Sequence, residues 1–225
     1  MAKSHIFLGL ELLWFFSIRA QTPVPVVDEP RHKLVFSNDY IRLLDVWIKP
    51  GDTTLYHRHA TASAIVFLTK TATGSQPLGG NPSGGQAVPG NSFFAPYQEK
   101  PIIHRVWNQD TVVYHVMDIE LLKPGPENAP PALSGENVRL NFDQKMVRSY
   151  TLDLAKGKSF EVPSSSSAHL LIRISGDPDN SDTKLNSSAP GDTKAGSFQW
   201  FPAGKPFRLN NNHSTTQEFV LLELK

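Results

Sequence analysis

Residues 90–108 read GNSFFAPYQEKPIIHRVWN, and residues 196–211 read GSFQWFPAGKPFRLNN. Aligned at Gly90 and Gly196, a shift of 106 positions, the segments place Phe94 on Trp200 and Pro96 on Pro202. Three extra residues follow Pro96, and at a shift of 103 Asn108 falls on Asn211. The match extends outward. Leu34 falls on Leu140, Phe36 on Phe142, Ile41-Arg42 on Val147-Arg148 and Gly51 on Gly157, while Glu120-Leu121 falls on Glu223-Leu224. A near-constant offset with matched glycines and prolines marks an internal repeat. The chain holds two copies of one unit, residues 33–122 and 139–225. Between them lies KPGPENAPPALSGEN (123–137), whose prolines and glycines preclude regular structure. As domains, 21–122 and 139–225 flank a linker at 123–138.

Each copy reads as strands. Tyr40 to Lys49 mixes β-branched, aromatic and charged residues and stops at the turn sequence Pro50-Gly51-Asp52. Ala64 to Thr71 is a short apolar run ending in polar residues. Ile102 to Trp107 and Thr111 to Leu122 flank Asn108-Gln109-Asp110, a hairpin-like connection. No segment after residue 20 sustains a 3.6-residue apolar period. A polar loop is expected at Thr73 to Pro89, with Leu78-Gly79-Gly80-Asn81 as a flexible lid or connector, and another at residues 177–195.

Composition narrows the function. The 225 residues are 39% hydrophobic, with 13 Phe and 4 Trp, enough for a packed core. Lys plus Arg is 22 and Asp plus Glu is 21, so the net charge of +1 lacks the basic excess of a nucleic-acid binder. Cysteine is absent, which removes disulfide scaffolds, thiolate metal sites and Cys nucleophiles together. No G-x-S-x-G elbow or phosphate loop is present.

The chemistry concentrates in histidine. His57 and His59 are two apart, so on a strand their imidazoles share a face about 6.6 Å apart along the chain. Such a pair can converge on one metal, and a neighbouring strand must supply a third ligand. His104, four residues before Asn108, is the candidate. The second copy serves as a control. It carries Pro163, Ser165 and Phe207 at the places of His57, His59 and His104, while keeping the turn glycines, the proline and the Asn. The imidazoles are therefore dispensable for building the unit, and a shared ligand explains their presence better than packing. Three neutral imidazoles with open positions suit a divalent Fe, Mn, Ni, Cu or Zn ion. Imidazole protonation competes with metal below about pH 6.5, so activity should fall there. His115 has the strand parity of Val113, Met117 and Ile119. Facing inward, it would be a supporting hydrogen-bond donor or a general base, with a core histidine as the alternative. Phe67, Phe93, Phe94, Trp107 and Tyr114 are pocket or core aromatics. Arg42 and Arg105 have basic counterparts, Arg148 and Arg208, in the copy without the histidines, which favours structural roles for both.

Gly51-x5-His57-x-His59 resembles the first cupin motif, and Gly90-x5-Pro96 with His104-x3-Asn108 resembles the second. Gly196-x5-Pro202-x-Gly204-x2-Phe207-x3-Asn211 has the spacing of the second motif, with Phe207 where the family has His. The chain thus resembles a bicupin, which implies an all-β fold of two tandem cupin-type jelly-roll β-barrels. It departs from the motif at Ser63 and Ala64, where the family places a Glu ligand. Glu99, in the insertion after Pro96, could approach a metal, although a solvated loop charge is the plainer reading. The resemblance implies a metal-dependent enzyme, dioxygenase-like, acting on a small polar or anionic molecule. The alternative is a non-catalytic exported cupin that binds a small molecule or metal. It also implies a homodimer through sheet edges.

Lys3, an apolar run from Ile6 to Ile18 and Ala20 before a Pro-rich stretch have the layout of a secretory signal peptide at residues 1–20. The expected location is periplasmic or secreted. The run is too short to span a bilayer, so no membrane span is expected in the mature chain.

Overall fold

The computed structural model describes residues 21–175, 195–212 and 214–225. The expected signal segment and most of the loop at 177–195 lie outside the described residues. Among the described residues, apart from one 3-10 turn at Val26–Asp28, every regular element is a strand. The first half contains β1 (Val24–Pro25), β2 (His32–Ser37), β3 (Ile41–Ile48), β4 (His57–His59), β5 (Ser63–Phe67), β6 (Thr71–Pro77), β7 (Ser83–Ala87), β8 (Ser92–Ala95), β9 (Ile102–Asn108) and β10 (Tyr114–Leu121). The second contains β11 (Val138–Asp143), β12 (Val147–Leu154), β13 (Ser159–Val162), β14 (His169–Ser175), β15 (Phe198–Phe201), β16 (Phe207–Asn210) and β17 (Gln217–Leu224).

Two five-stranded sheets form the first unit, in the orders β1-β4-β9-β6-β7 and β2-β3-β10-β5-β8. Leu44, Val46, Ile48, Ile65, Tyr114, Val116 and Ala87 pack together between them. The second unit repeats the latter sheet as β11-β12-β17-β14-β15 and adds the pair β13-β16. Its interior is filled by Tyr150, Leu152, Leu171, Phe207, Phe219 and Leu221. A third cluster joins the halves: Ile41, Leu43, Met117 and Ile119 meet Val147, Leu170, Ile172 and Leu222. The matching sheets therefore lie against each other, and their central strands β10 and β17 are buried on both faces.

The repeat is a repeat of hydrogen bonds. A register irregularity between Leu34 and Phe36 recurs between Leu140 and Phe142. Asn108 Nδ2 donates to the carbonyls of Ile48 and Val112, and Asn211 Nδ2 to those of Leu154 and Thr215. The amides of Gly51 and Gly157 donate to the carbonyls of those same two Asn residues. Both glycines turn with positive φ, 73° and 71°, where a Cβ is disfavoured.

Two local expectations are corrected. Thr73 to Pro89 is not a loop. It forms the hairpin β6-β7, paired from Thr71↔Ala87 to Ser75↔Ser83, and only Leu78 to Pro82 turn. Gly74 serves close approach: a Cβ there would lie 2.0 Å from Trp107 Cε2. Asn108 to Asp110 is not a hairpin turn either. β9 pairs with β4 and β6, while β10 pairs with β3 and β5, so the connection crosses from one sheet to the other.

Candidate metal centre

Strands β4 and β9 run antiparallel with His57 directly opposite His104. Cross-strand neighbours share a face, and the two-residue period puts His59 on that face too. The three rings come together, with centroid separations of 4.9 Å for His57–His59, 4.7 Å for His57–His104 and 5.0 Å for His59–His104. A fourth ring joins them from the facing sheet. His32 on β2 lies 4.8 Å from His57 and 6.4 Å from His59. Potential ligand atoms of His32, His57 and His59 all lie within 4.8 Å of one another.

The outer nitrogens are largely engaged. His32 Nδ1 lies 2.8 Å from Glu29 Oε2, His57 Nδ1 2.9 Å from the Leu55 carbonyl and His104 Nδ1 3.3 Å from Ser75 Oγ. A carboxylate or carbonyl only accepts, so His32 and His57 each carry hydrogen on Nδ1, and in the neutral ring the lone pair then lies at Nε2. His104 Nε2 is buried with no partner, as are His59 Nδ1 and both oxygens of Asp118. Asp118 Oδ2 lies 3.4 Å from His59 Nδ1 without hydrogen-bond alignment. Orphaned buried groups cost about 1–3 kcal/mol each. Converging imidazole nitrogens with such orphans are the donor set a divalent ion takes, and the residues fit one.

Burial governs the electrostatics. Removal from water, aided by the neighbouring imidazoles, pulls His57, His59 and His104 down to about 4, 2 and 3. All three rings are thus neutral at pH 7, the state that binds metal, and protonation competes only below about pH 4 rather than the pH 6.5 expected of free imidazole. Burial pushes Asp118 up to about 7. Burial would also raise Glu29, but hydrogen bonds from His32 and from the Arg31 and Leu55 amides outweigh it and draw the group down to about 2.

A cavity of about 180 Å³ opens beside the histidines. It is lined by Phe67, Phe93, Tyr114 and Val106, with Ser75 and Asp118 as polar members. Tyr97 also lines it, its ring 4.8 Å from that of His59. Phe94 instead packs between the halves, and Trp107 lies over Gly74.

Of the two readings of His115, the structure places it as a buried histidine facing away from the metal centre. On β10, His115 shares a face with Met117 and Ile119, and that face meets the second unit. His115 Nε2 bonds to Asp45 Oδ1 at 2.7 Å and the ring stacks on Trp47 at 3.7 Å. A Cβ on Gly196, in the second unit, would come within 2.7 Å of its ring. Glu99 is an exposed turn residue, its amide donating to the Pro96 carbonyl. Arg42 pairs with the buried Glu120 as Arg148 does with Glu223, and Arg105 bonds to Gln76.

Sequence reasoning missed His32, Asp118 and Tyr97. The repeat carried a signal for the first two. Their counterparts are Val138 and Leu221, so each is a polar group present only in the copy with the histidines. Starting the repeat at residue 33 passed over His32 by one position. Tyr97 lies in the insertion, where no counterpart exists.

The fold has known likenesses. Bacterial pirin YhhW from Escherichia coli, in complex with nickel(II), matches with TM-score 0.58 and 15% identity over 86% of this chain and 90% of its own. Oxalate decarboxylase from Lactobacillus farciminis, as a formate complex, matches with TM-score 0.54 and 12% identity over 83% of this chain and 77% of its own. A salicylate 1,2-dioxygenase variant from Pseudoaminobacter salicylatoxidans gives TM-score 0.52 and 11% identity over 82% and 71%. No protein-family model and no curated protein matches the sequence. At these identities the likeness is one of fold: this chain is two fused jelly-roll units of the cupin type.

Proposed function

We propose that the chain is a metal-dependent bicupin enzyme, dioxygenase-like, whose first unit holds a divalent ion on His57, His59 and His104 and acts on a small polar or anionic molecule. One observation carries the reading: these imidazoles converge beside a cavity in the first unit, while the second unit keeps the fold without any of them. The fold's likenesses include a pirin in complex with nickel(II), an oxalate decarboxylase and a salicylate 1,2-dioxygenase, which support it by analogy.

A bound ion would supply Lewis-acid or redox chemistry at this place. The chain's own residues define what reaches it. Phe67, Tyr114 and Val106 exclude water from the cavity, and Phe93, 42% exposed, forms part of its rim. A cavity of about 180 Å³ takes a molecule about the size of one ring, since about 150 Å³ holds benzene. Tyr97 and Ser75 offer hydroxyls to the polar end of such a molecule. Among the described residues no helix is long and apolar enough to cross a membrane. Residues 1–20 are proposed as an export signal, tested by the N-terminus of the protein recovered from culture.

The test is metal content after growth with iron and manganese, repeated for His57→Ala and His104→Ala, followed by oxygen uptake on single-ring catechols and small diketones. Bound metal lost in both variants, with oxygen uptake by the wild type, supports the enzyme. Absence of metal from the wild type overturns it. Metal without turnover across the panel selects the non-catalytic binding protein instead.

A further inference from the structure

We propose that His32, oriented by Glu29, is a fourth nitrogen ligand of the metal centre and takes over the role of the carboxylate that this chain lacks at Ser63 and Ala64. The inference rests on the metal-binding reading above and adds a donor from the facing sheet.

Position is the first ground. Two ligands on one ion, each about 2.1 Å from it, can lie at most about 4.2 Å apart. The ligand atoms of His32, His57 and His59 lie within 4.8 Å of one another, so these three need close by only about half an ångström, and His104 joins them through its ring contacts with His57 and His59. The second ground is orientation. Glu29, 1% exposed, accepts from the Arg31 amide at 2.7 Å, the Leu55 amide at 3.1 Å and His32 Nδ1 at 2.8 Å. Its carboxylate thereby fixes the hydrogen on Nδ1 and leaves Nε2 as the donor, the arrangement that supports metal-bound histidines. The same Leu55 offers its carbonyl to His57 Nδ1, so one residue anchors both rings. Arg31 ties the assembly to Asp52 through paired contacts of 3.0 and 2.7 Å. The third ground is the repeat, which places Gly135 and Val138 where the first copy has Glu29 and His32. The fold does not need this buried pair, because the second unit folds without it. A centre so built has no carboxylate in direct contact with the ion. It keeps the ion's charge available to an anionic chelating substrate, with Glu29 offsetting that charge from behind the ring.

The test loads the full chain with Cu(II) and counts imidazole nitrogens by X-ray absorption, alongside chelator competition for affinity. Variants are His32→Val, copying the second unit, Glu29→Gln and Asp118→Asn, each checked for folding by circular dichroism. Four imidazoles are expected in the wild type and three in His32→Val, with affinity lower by at least about 10–100-fold. Glu29→Gln should keep the fold and the count but weaken binding by about tenfold. It decides the matter by affinity should His32→Val fail to fold. Unchanged count and affinity in His32→Val, or unchanged affinity in Glu29→Gln, overturns the proposal. So does a wild-type centre of three imidazoles and one oxygen that is lost in Asp118→Asn, although that result leaves the metal-binding reading intact. A wild type that takes up no metal removes both.

Discussion

His104→Phe copies into the first unit the residue that the second carries at that place, and its effects on fold and metal should separate. The change removes Nε2, a buried nitrogen with no partner, and relieves a cost of about 1–3 kcal/mol in the metal-free protein. It also removes the 3.3 Å contact to Ser75 Oγ, worth about 0.5–1.5 kcal/mol. Phenyl is bulkier than imidazole by one ring atom, and the adjoining cavity of about 180 Å³ gives it room. These effects nearly cancel, so the metal-free variant should keep its stability within about 1.5 kcal/mol. The metal response should vanish. A ligand at a hundred times its dissociation constant stabilises the native state by about 2.7 kcal/mol. For a chain of this size each kcal/mol moves Tm by about 2–4 °C, so the wild type should gain about 5–11 °C. Thermal denaturation with and without Zn(II), read by circular dichroism, measures both. A variant with an undiminished metal-induced shift refutes His104 as a ligand. A metal-free variant destabilised by more than about 4 kcal/mol refutes the premise that the second unit reports what the barrel needs.

Three further outcomes follow from the geometry. Gly74→Ala sets a Cβ 2.0 Å from the Trp107 ring, so it should cost at least about 1–3 kcal/mol in urea denaturation, with Gly84→Ala, whose nearest neighbour would be 3.8 Å away, as the milder comparison. Asn108→Ala leaves the carbonyls of Ile48 and Val112 without their donor, and Asn211→Ala does the same to Leu154 and Thr215. Each should cost roughly 2–4 kcal/mol by the same assay, and a loss under about 0.5 kcal/mol would show that the shared clamp is ornamental. Burial pulls His169 down to about 4, below its ordinary value of 6.5. The unfolded chain therefore takes up the proton first as pH falls, so the stability from neutral His169 is whole above pH 6.5 and is lost toward pH 4. The loss is about 3 kcal/mol, and His169→Leu should flatten that part of the urea-midpoint profile.

The first-unit strands were legible where one turn sequence ended them, as at Pro50-Gly51, and where the repeat supplied a second reading. Thr73 to Pro89 was not legible as strand, because its glycines signal flexibility locally. For Gly74 the reason, the Trp107 ring lying on it, belongs to a partner strand more than thirty residues away. Asn108 to Asp110 misled for a related cause. Two strands separated by a short turn normally pair, and only the closing of two sheets over a core shows that β9 and β10 belong to different ones.

By itself the sequence determined that one unit occurs twice, that its turns are fixed by matched Gly, Pro and Asn, and that His57, His59 and His104 belong to one copy alone. A repeat and a two-residue period are properties of the chain, readable without knowing what lies across from it. The tertiary structure alone decided which face of β10 looks at the metal centre. All eight residues of that strand are buried, so no polar alternation tells Asp118 from His115. One face closes on the cavity and the other on the second unit, and only strand pairing and sheet packing assign them. The same holds for His32, brought to His57 by the meeting of two sheets, a long-range contact that no local spacing encodes.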